Sequence, residues 1–161
     1  MKVMGMHHVG ISLIAVGLLA SGIAHGKGLT PGDSVFEGMG AMKLTAGPYS
    51  GACSVTLFGD IDQAGAGKID GDVSEFSGAS SVCKVVRGSG SWAVRPTSAT
   101  TLEIRDVRVN GPFGVYCSGT LDGTLIAGRL AVKGALKSNV GLPCSIDGIL
   151  ETTPEVGISW P

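Results

Sequence analysis

The segment Cys53-Ser-Val-Thr-Leu-Phe-Gly-Asp-Ile61 decides the fold class of this chain. Every second residue from Cys53 to Ile61 is apolar or glycine, and in an extended chain these positions share one face. The same alternation recurs at residues 113–117, 126–132 and 144–150. A period of two, bounded by turn residues, is typical of strands with one buried face. The sequence therefore predicts several amphipathic strands.

Glycine punctuates these strands, with 27 residues spread along the chain without a period of three. Beyond residue 26, no stretch of ten or more residues repeats its apolar positions with the period of a helix. Short strands separated by turn residues predict an all-β fold. We expect a single antiparallel β-sandwich, or a partly closed barrel, over residues 27–161, with two disulfides and little helix.

The segment from Thr101 to Val109 breaks the alternation. Leu102 and Ile104 share one parity, whereas Val107 and Val109 share the other. One extra residue near Arg105 or Asp106 would bring all four apolar side chains to the same face. We therefore predict a β-bulge at this point.

The first 26 residues have the layout of a secretory signal peptide. Lys2 precedes an apolar run at residues 9–20, and small residues follow, so that Gly22-Ile-Ala24 and Ala24-His-Gly26 both suit cleavage. The run is too short to span a bilayer, which takes about 20 residues. A retained membrane anchor is the alternative. We predict a secreted protein, extracellular or at the cell surface, with the periplasm as a further option and no transmembrane segment after cleavage.

The composition excludes several classes of function. Residues 27–161 carry 11 basic and 13 acidic residues without a basic patch, so nucleic acid is not an expected partner. The three histidines, His7, His8 and His25, all lie within the predicted signal peptide or at its edge. The mature chain therefore keeps one histidine at most, at its N-terminus, which effectively excludes a Ser-His-Asp triad and a histidine-bearing zinc site. The chain is not expected to be an enzyme.

Four cysteines, Cys53, Cys83, Cys117 and Cys144, predict disulfides in an exported chain. Their spacings of 30, 34 and 27 residues match no compact zinc motif. Four cysteines allow three pairings; we favour Cys53–Cys83 and Cys117–Cys144, because each closes a moderate loop around neighbouring strands. Each bridge would contribute about 3–4 kcal/mol in the chain-entropy model. Free buried cysteines are the alternative.

Four carboxylates, Asp60, Asp62, Asp70 and Asp72, are weak calcium candidates. They lie in a glycine-rich segment, and carboxylates together with backbone carbonyls bind calcium outside cells. However, their spacing matches no helix-flanked calcium loop, and Asp-Gly pairs are common in hairpin turns. We expect turn residues here, with no metal site and no cofactor.

Two segments near the chain ends are candidates for contact with partners. Trp160 is the penultimate residue, and an apolar residue at a chain end either docks on the domain or is offered to a partner. The segment Lys27 to Ala46 is glycine-rich and close to the predicted new N-terminus. It is a candidate donor for self-assembly into oligomers or filaments by strand addition.

The order of the cysteine, glycine and tryptophan landmarks resembles a family of small exported bacterial proteins, the activators of alkane oxidation. The matching landmarks cover nearly the whole chain after residue 26: Phe36, Leu44, Cys53 to Gly59, Ala66 to Ile69, Gly78, Cys83, Trp92, Val107, Val109, Cys117, Cys144 to Gly148, Thr152, Thr153 and Pro154. The charged strand near Arg105 and Arg108 and the Trp-Pro end depart from the pattern. The resemblance implies a secreted protein, associated with the cell surface or with biofilm, that helps cells to use or adhere to hydrocarbons by emulsification. It implies no catalytic residues.

Three hypotheses about function follow. The first is a non-enzymatic secreted protein of the cell surface or extracellular matrix that promotes adhesion, biofilm formation or hydrocarbon use. The alternative is an alkane- or lipid-binding or emulsifying protein; a closed barrel with an apolar cavity would favour it, whereas a solid core would leave only adsorption at the surface. A carboxylate-based hydrolase is the weaker alternative and needs two acidic side chains that face each other in a deep cleft.

Overall fold

A computed structural model describes residues 26–161 of the chain. Residues 1–25, which hold nearly all of the predicted signal peptide together with His7, His8 and His25, lie outside the described part. The described residues form eleven strands and one five-residue helix, in the order β1 (Gly28–Thr30), β2 (Ser34–Ala46), β3 (Tyr49–Ile61), β4 (Gly67–Ser77), α1 (Ser81–Val85), β5 (Arg87–Gly88), β6 (Ser91–Pro96), β7 (Thr101–Asn110), β8 (Tyr116–Ile126), β9 (Arg129–Ser138), β10 (Pro143–Thr153) and β11 (Gly157–Ser159), with a 3-10 turn at Pro112–Gly114.

Eight of these strands close into an antiparallel barrel. From β2 to β10 each strand pairs with the next barrel strand along the chain, and β10 returns to pair with β2. The short β5 continues the line of β6 along β7. The all-β prediction is confirmed, and of its two forms the barrel is the one observed, with its closure complete. Closure leaves none of the eight strands with an unpaired sheet edge along its whole length.

The barrel interior is solid. Its side chains come from every second residue of each strand, as the alternation in the sequence predicts, and the large ones meet at the centre. The central space measures about 10 Å³, and it is enclosed by Met42, Leu57, Phe76, Trp92, Ile104, Leu121, Val132 and Ile146. A space of that size holds one water molecule at most. The interior therefore has no room for a ligand.

Inward-facing glycines let neighbouring strands and large side chains approach closely. Gly59 on β3 lies directly opposite Phe36 on β2, and a Cβ at Gly59 would collide with the Phe36 ring. The ring thus fills the space that a side chain at position 59 would otherwise take. The abundance of glycine reflects this packing as well as the turns.

The predicted β-bulge lies where the sequence placed it. The register of β7 against β8 shifts between Ile104 and Val107, and the two residues between them, Arg105 and Asp106, are both exposed. Asp106 has φ +59°, a conformation that aspartate tolerates better than most residues. Because of the bulge, the apolar residues before and after it face the same core.

One predicted strand boundary is wrong. The alternation over residues 126–132 predicted a single strand, but the chain reverses between β8 and β9 at Ala127 and Gly128, with φ +48° and +75°. Two consecutive positive φ angles are the geometry of a tight two-residue hairpin. Ile126 is consequently exposed rather than buried.

Both disulfides have the predicted pairing, Cys53–Cys83 and Cys117–Cys144. The first ties α1 to β3, and the second joins β8 to β10 across β9. All four cysteines are buried. Both bridges lie towards the same end of the barrel, where β2 ends and β10 begins; we call this the disulfide end.

The opposite end of the barrel is covered. There β1 and β11 form a separate two-stranded sheet. Leu29 of β1 is buried, and its backbone N–H donates to the Gly65 carbonyl in the loop between β3 and β4. Val156, just before β11, is buried as well. The two ends of the barrel therefore differ, and we call this one the covered end.

Two inward-facing glycines on β2 give a matched test of this packing. A Cβ at Gly40 would collide with the Ile149 carbonyl of β10, whereas a Cβ at Gly38 would meet its nearest atom, on Leu150, at 3.5 Å. Because backbone cannot move aside without opening the barrel, we expect Gly40→Ala to lower the free energy of unfolding by about 1–3 kcal/mol. Gly38→Ala should leave it unchanged or raise it by up to about 1 kcal/mol.

Urea unfolding under oxidising conditions measures the free energy of unfolding of both variants. Equal effects of the two substitutions would contradict the close approach of β2 and β10.

Candidate functional site

The disulfide end of the barrel carries an apolar cleft of about 210 Å³, which we call the mouth. It is lined by Ala46, Pro48, Tyr49, Val86, Val109, Gly111, Pro112, Phe113, Val115, Cys117 and Leu142. These residues come from three connections between barrel strands, from the segment after α1 and from the adjoining strand ends. No charged residue lines the mouth.

Phe113 is the most exposed large apolar residue at the mouth, with 98% of its surface accessible. The sequence alternation placed it on an inward strand face with Val115 and Cys117, and this prediction is wrong. Pro112 and Gly114 interrupt the strand, and Phe113 adopts φ 59° and ψ 32° in the turn between β7 and β8. The left-handed conformation is unfavourable for a bulky residue by about 1 kcal/mol or more. The turn thus holds an aromatic ring in water at a cost to stability.

Hydrogen bonds fix this turn in place. Asn139, in the loop between β9 and β10, accepts from the backbone N–H of Tyr116 at 2.9 Å and donates its amide to the Gly114 carbonyl at 3.1 Å. Within the turn, the Gly111 N–H donates to the Val115 carbonyl at 2.8 Å. Asn139 therefore ties the two loops that flank the mouth to each other.

The floor of the mouth is rigid as well. Cys117, which lines it, is bonded to Cys144 on β10, and Val86 and Val109 are buried beneath the opening. The rim is more exposed, at Tyr49, Phe113 and Leu142. The mouth is thus an apolar surface on a fixed frame, and its chemistry suits contact with another apolar surface.

A second and larger depression lies on the outer face of β7 to β10, with a volume of about 530 Å³. Glu103, Asp122, Lys133 and Asp147 contribute its charged groups. Glu103 lies opposite Asp122, but it accepts two hydrogen bonds from Arg105, at 2.7 and 2.8 Å. Lys133 is the direct neighbour of both Asp122 and Asp147 across the strands. The acidic groups of this depression are thus neighboured by basic ones, and Asp122 and Asp147 are exposed.

The four calcium candidates have separate local partners. Asp60 forms an ion pair with Lys68 at 3.3 Å. Asp62, Asp70 and Asp72 each accept a backbone N–H, from Ala66, Asp72 and Gly90 respectively, at 2.8–3.1 Å. Across residues 26–161, no three histidine, cysteine or acidic side chains come together in a group that could hold a metal ion.

The two candidate partner segments have partners within the chain. Trp160 is half-buried at the covered end, with the Lys27 ammonium 4.5 Å from its ring centre. In the segment Lys27 to Ala46, β1 pairs with β11, while β2 pairs with both β3 and β10. Donation of β2 to a second copy would require the barrel to open.

No helix within residues 26–161 is long and apolar enough to cross a membrane.

The fold and the mouth define a class of protein: a disulfide-linked, closed β-barrel with a solid interior and an exposed apolar end. The sequence model of the alkane oxidation protein activators, PraA/PraB-like, matches residues 1–160, and the chain belongs to this family. The resemblance inferred from the order of landmarks is thereby confirmed. Searches of curated proteins and of solved structures gave no match.

Because Phe113 is exposed and left-handed, its replacement by a smaller polar residue should not lower the free energy of unfolding. Asparagine tolerates the left-handed conformation better than phenylalanine does, and the ring buries little surface in the free protein. We expect Phe113→Asn to keep or raise the free energy of unfolding, by up to about 1 kcal/mol, when thermal and urea unfolding are compared with the unsubstituted chain. A loss of more than about 1 kcal/mol would mean that the ring packs against the barrel.

Proposed function

We propose that this protein is a secreted, non-enzymatic protein of the cell surface or extracellular matrix that adsorbs to apolar surfaces, hydrocarbons among them, through the mouth. The observation that carries the proposal is Phe113, held in water at the edge of an apolar cleft of about 210 Å³. Adhesion, biofilm formation and hydrocarbon use are the processes that such contact would promote.

Three further observations support the proposal. The family is named for activation of alkane oxidation and not for a catalytic step. Two disulfides fit an oxidising compartment such as the periplasm or the exterior of the cell. The described carboxylates are exposed or held by local partners, whereas a hydrolase of the glycosidase type needs a pair positioned in a cleft.

The solid interior favours adsorption to an apolar surface over transport of a hydrocarbon inside the barrel. A protein that carries an alkane inside a barrel needs a cavity of a few hundred Å³, and the centre of this barrel offers about 10 Å³. The mouth has the volume for part of a hydrocarbon chain but stays open to solvent. We therefore propose contact with the surface of an apolar phase, from which emulsification follows when many copies cover a droplet.

Self-assembly by strand addition, with Lys27 to Ala46 as the donor, remains a prediction. The intact pairing of β2 on both sides gives it no support. For this reason we place the contact at the mouth.

Adsorption to a hexadecane–water interface tests the proposal. The double variant Tyr49→Thr and Phe113→Asn removes two exposed aromatic rings from the mouth, whereas Val35→Thr and Ile126→Thr removes two exposed apolar side chains elsewhere on the barrel. Since burying one large apolar side chain contributes about 1.5–3 kcal/mol, we expect the mouth variant to adsorb at least about tenfold more weakly. The matched control should change adsorption less than threefold.

Two quantities measure this difference: the interfacial tension, and the amount of protein that hexadecane droplets remove from solution. Equal losses in the two double variants, or no lowering of tension by the unsubstituted protein, would overturn the proposal.

A further inference from the structure

Charge is distributed unevenly between the two ends of the barrel. The disulfide end, taken as residues 44–51, 75–89, 108–118 and 136–145, carries four basic residues and one acidic residue, Glu75. The rest of residues 27–161 carries seven basic and twelve acidic residues. The mouth therefore opens at the positive end of a protein whose overall charge is negative. We call Lys84, Arg87, Arg108 and Lys137 the basic collar.

Each collar residue is next to the mouth. Arg87 follows Val86, and Arg108 precedes Val109; both valines line the cleft. Lys137 lies opposite Pro143, the residue after Leu142, which also lines it. Lys84 is exposed in the last turn of α1, two residues before Val86.

Three of the collar residues share the outer face of neighbouring strands. Arg108 on β7 lies opposite Ser118 on β8, which in turn lies opposite Lys137 on β9. Two strand spacings thus separate the Cα atoms of Arg108 and Lys137, a distance of about 10 Å. Arg87 lies opposite Asn110, two residues beyond Arg108 on β7. Arg87, Arg108 and Lys137 therefore form a positive arc beside the apolar opening, and Lys84 on α1 is three residues from Arg87 along the chain.

The collar lacks the acidic neighbours that the other strand cations have. Lys68, Arg105 and Arg129 each form an ion pair with an acidic side chain. Lys43, Arg95 and Lys133 each lie directly opposite an acidic residue on the next strand. Among the described residues, the collar forms no ion pair, and its cross-strand neighbours are neutral: Asn110, Ser118 and Pro143.

Arg108 is held in a defined position. Its guanidinium stacks on the Tyr116 ring at 3.9 Å, and its Nε donates to Asn110 at 3.2 Å. Because the Tyr116 backbone N–H donates to the Asn139 side chain, which also holds Gly114, the Arg108 cation and the Phe113 turn are tied to the same residues. Arg108 thus keeps a fixed relation to the apolar rim.

We propose that the disulfide end docks on an anionic lipid surface, with the apolar rim in the acyl region and the collar at the headgroup phosphates. An apolar rim beside unpaired cations matches the layered chemistry of an anionic bilayer surface, in which charged headgroups overlie hydrocarbon. A bare hydrocarbon would explain the rim but gives no role to the collar. This inference rests on the proposed function, since it assigns a preferred apolar phase to the same mouth.

Co-sedimentation with vesicles tests the inference without any substitution. We expect the purified protein to bind phosphatidylglycerol vesicles at least tenfold more tightly than phosphatidylcholine vesicles at low salt. That preference should fall steeply between 50 and 500 mM salt, because screening weakens the headgroup contacts. Equal binding to both kinds of vesicle at all salt concentrations would overturn the anionic preference. A protein that forms oligomers in the absence of vesicles and binds neither kind of vesicle would overturn it as well.

A matched pair of quadruple variants shows which basic residues bind the anionic vesicles. Replacement of Lys84, Arg87, Arg108 and Lys137 by glutamine should weaken binding to phosphatidylglycerol vesicles by about 100-fold or more, since each basic residue near an anionic surface contributes roughly fivefold. Replacement of Lys27, Lys43, Arg95 and Lys133 by glutamine changes the net charge equally, and it should weaken binding less than about fivefold. Equal losses would overturn the assignment to the collar.

Adsorption to hexadecane separates the failure of this inference from failure of the proposed function. The collar variant should still adsorb to hexadecane as the unsubstituted protein does, and the mouth variant, Tyr49→Thr with Phe113→Asn, should lose both activities. Retained hexadecane adsorption without any vesicle preference would overturn the lipid inference and leave the proposed function standing. If the quadruple collar variant does not fold, the double variants Lys84→Gln with Arg87→Gln and Arg108→Gln with Lys137→Gln give the same comparison in two steps.

Discussion

The pairing of β10 with β2 is the interaction on which the rest of the structure depends. It runs over ten residue pairs, from Cys144 opposite Ala46 to Thr153 opposite Glu37, and it joins the last barrel strand to the first. Without it the eight strands would form an open sheet with two unpaired edges and an exposed apolar face. Gly40 and Gly148 lie at this seam, where backbone of the facing strand occupies the space of a side chain. Closure then fixes the solid interior, and the solid interior leaves only the ends and the outer surface for contact with partners.

The two ends have different chemistry because different segments finish them. The β1–β11 sheet buries Leu29 and Val156 at the covered end, where Trp160 also lies under Lys27. At the disulfide end, short turns and α1 leave an apolar rim. The Cys117–Cys144 disulfide and the hydrogen bonds of Asn139 tie the backbone beneath that rim, so the loops need not be ordered on contact, and less conformational entropy is lost. A rigid apolar end is therefore an efficient surface for adsorption.

Much of the fold could be predicted from local patterns. The alternation along Cys53 to Ile61 gave the strands, and the parity change between Ile104 and Val107 gave the bulge, because both features follow from which face of a strand must be buried. The sequence left three disulfide pairings open, and the structure has the one that we favoured. Full closure could not be predicted, since it depends on the long-range contact of β10 with β2. The mouth was missed for a related reason: Phe113 fits an alternating pattern with Val115 and Cys117, and only the turn at Pro112–Gly114 removes it from that face. The Pro-Phe-Gly triplet was the one available signal, since proline and glycine interrupt strands.

Hydrogen exchange of the protein adsorbed on hydrocarbon droplets shows whether the closed barrel makes contact through one end while its interior stays intact. Compared with the free protein, we expect slower exchange in the segments around Pro48, Phe113 and Leu142, with unchanged protection in the centres of β2, β3 and β10. Faster exchange in those strand centres would show that the barrel opens to take up hydrocarbon. Slower exchange confined to β1 and β11 would place the contact at the covered end. Either result would contradict contact of an intact barrel through the mouth.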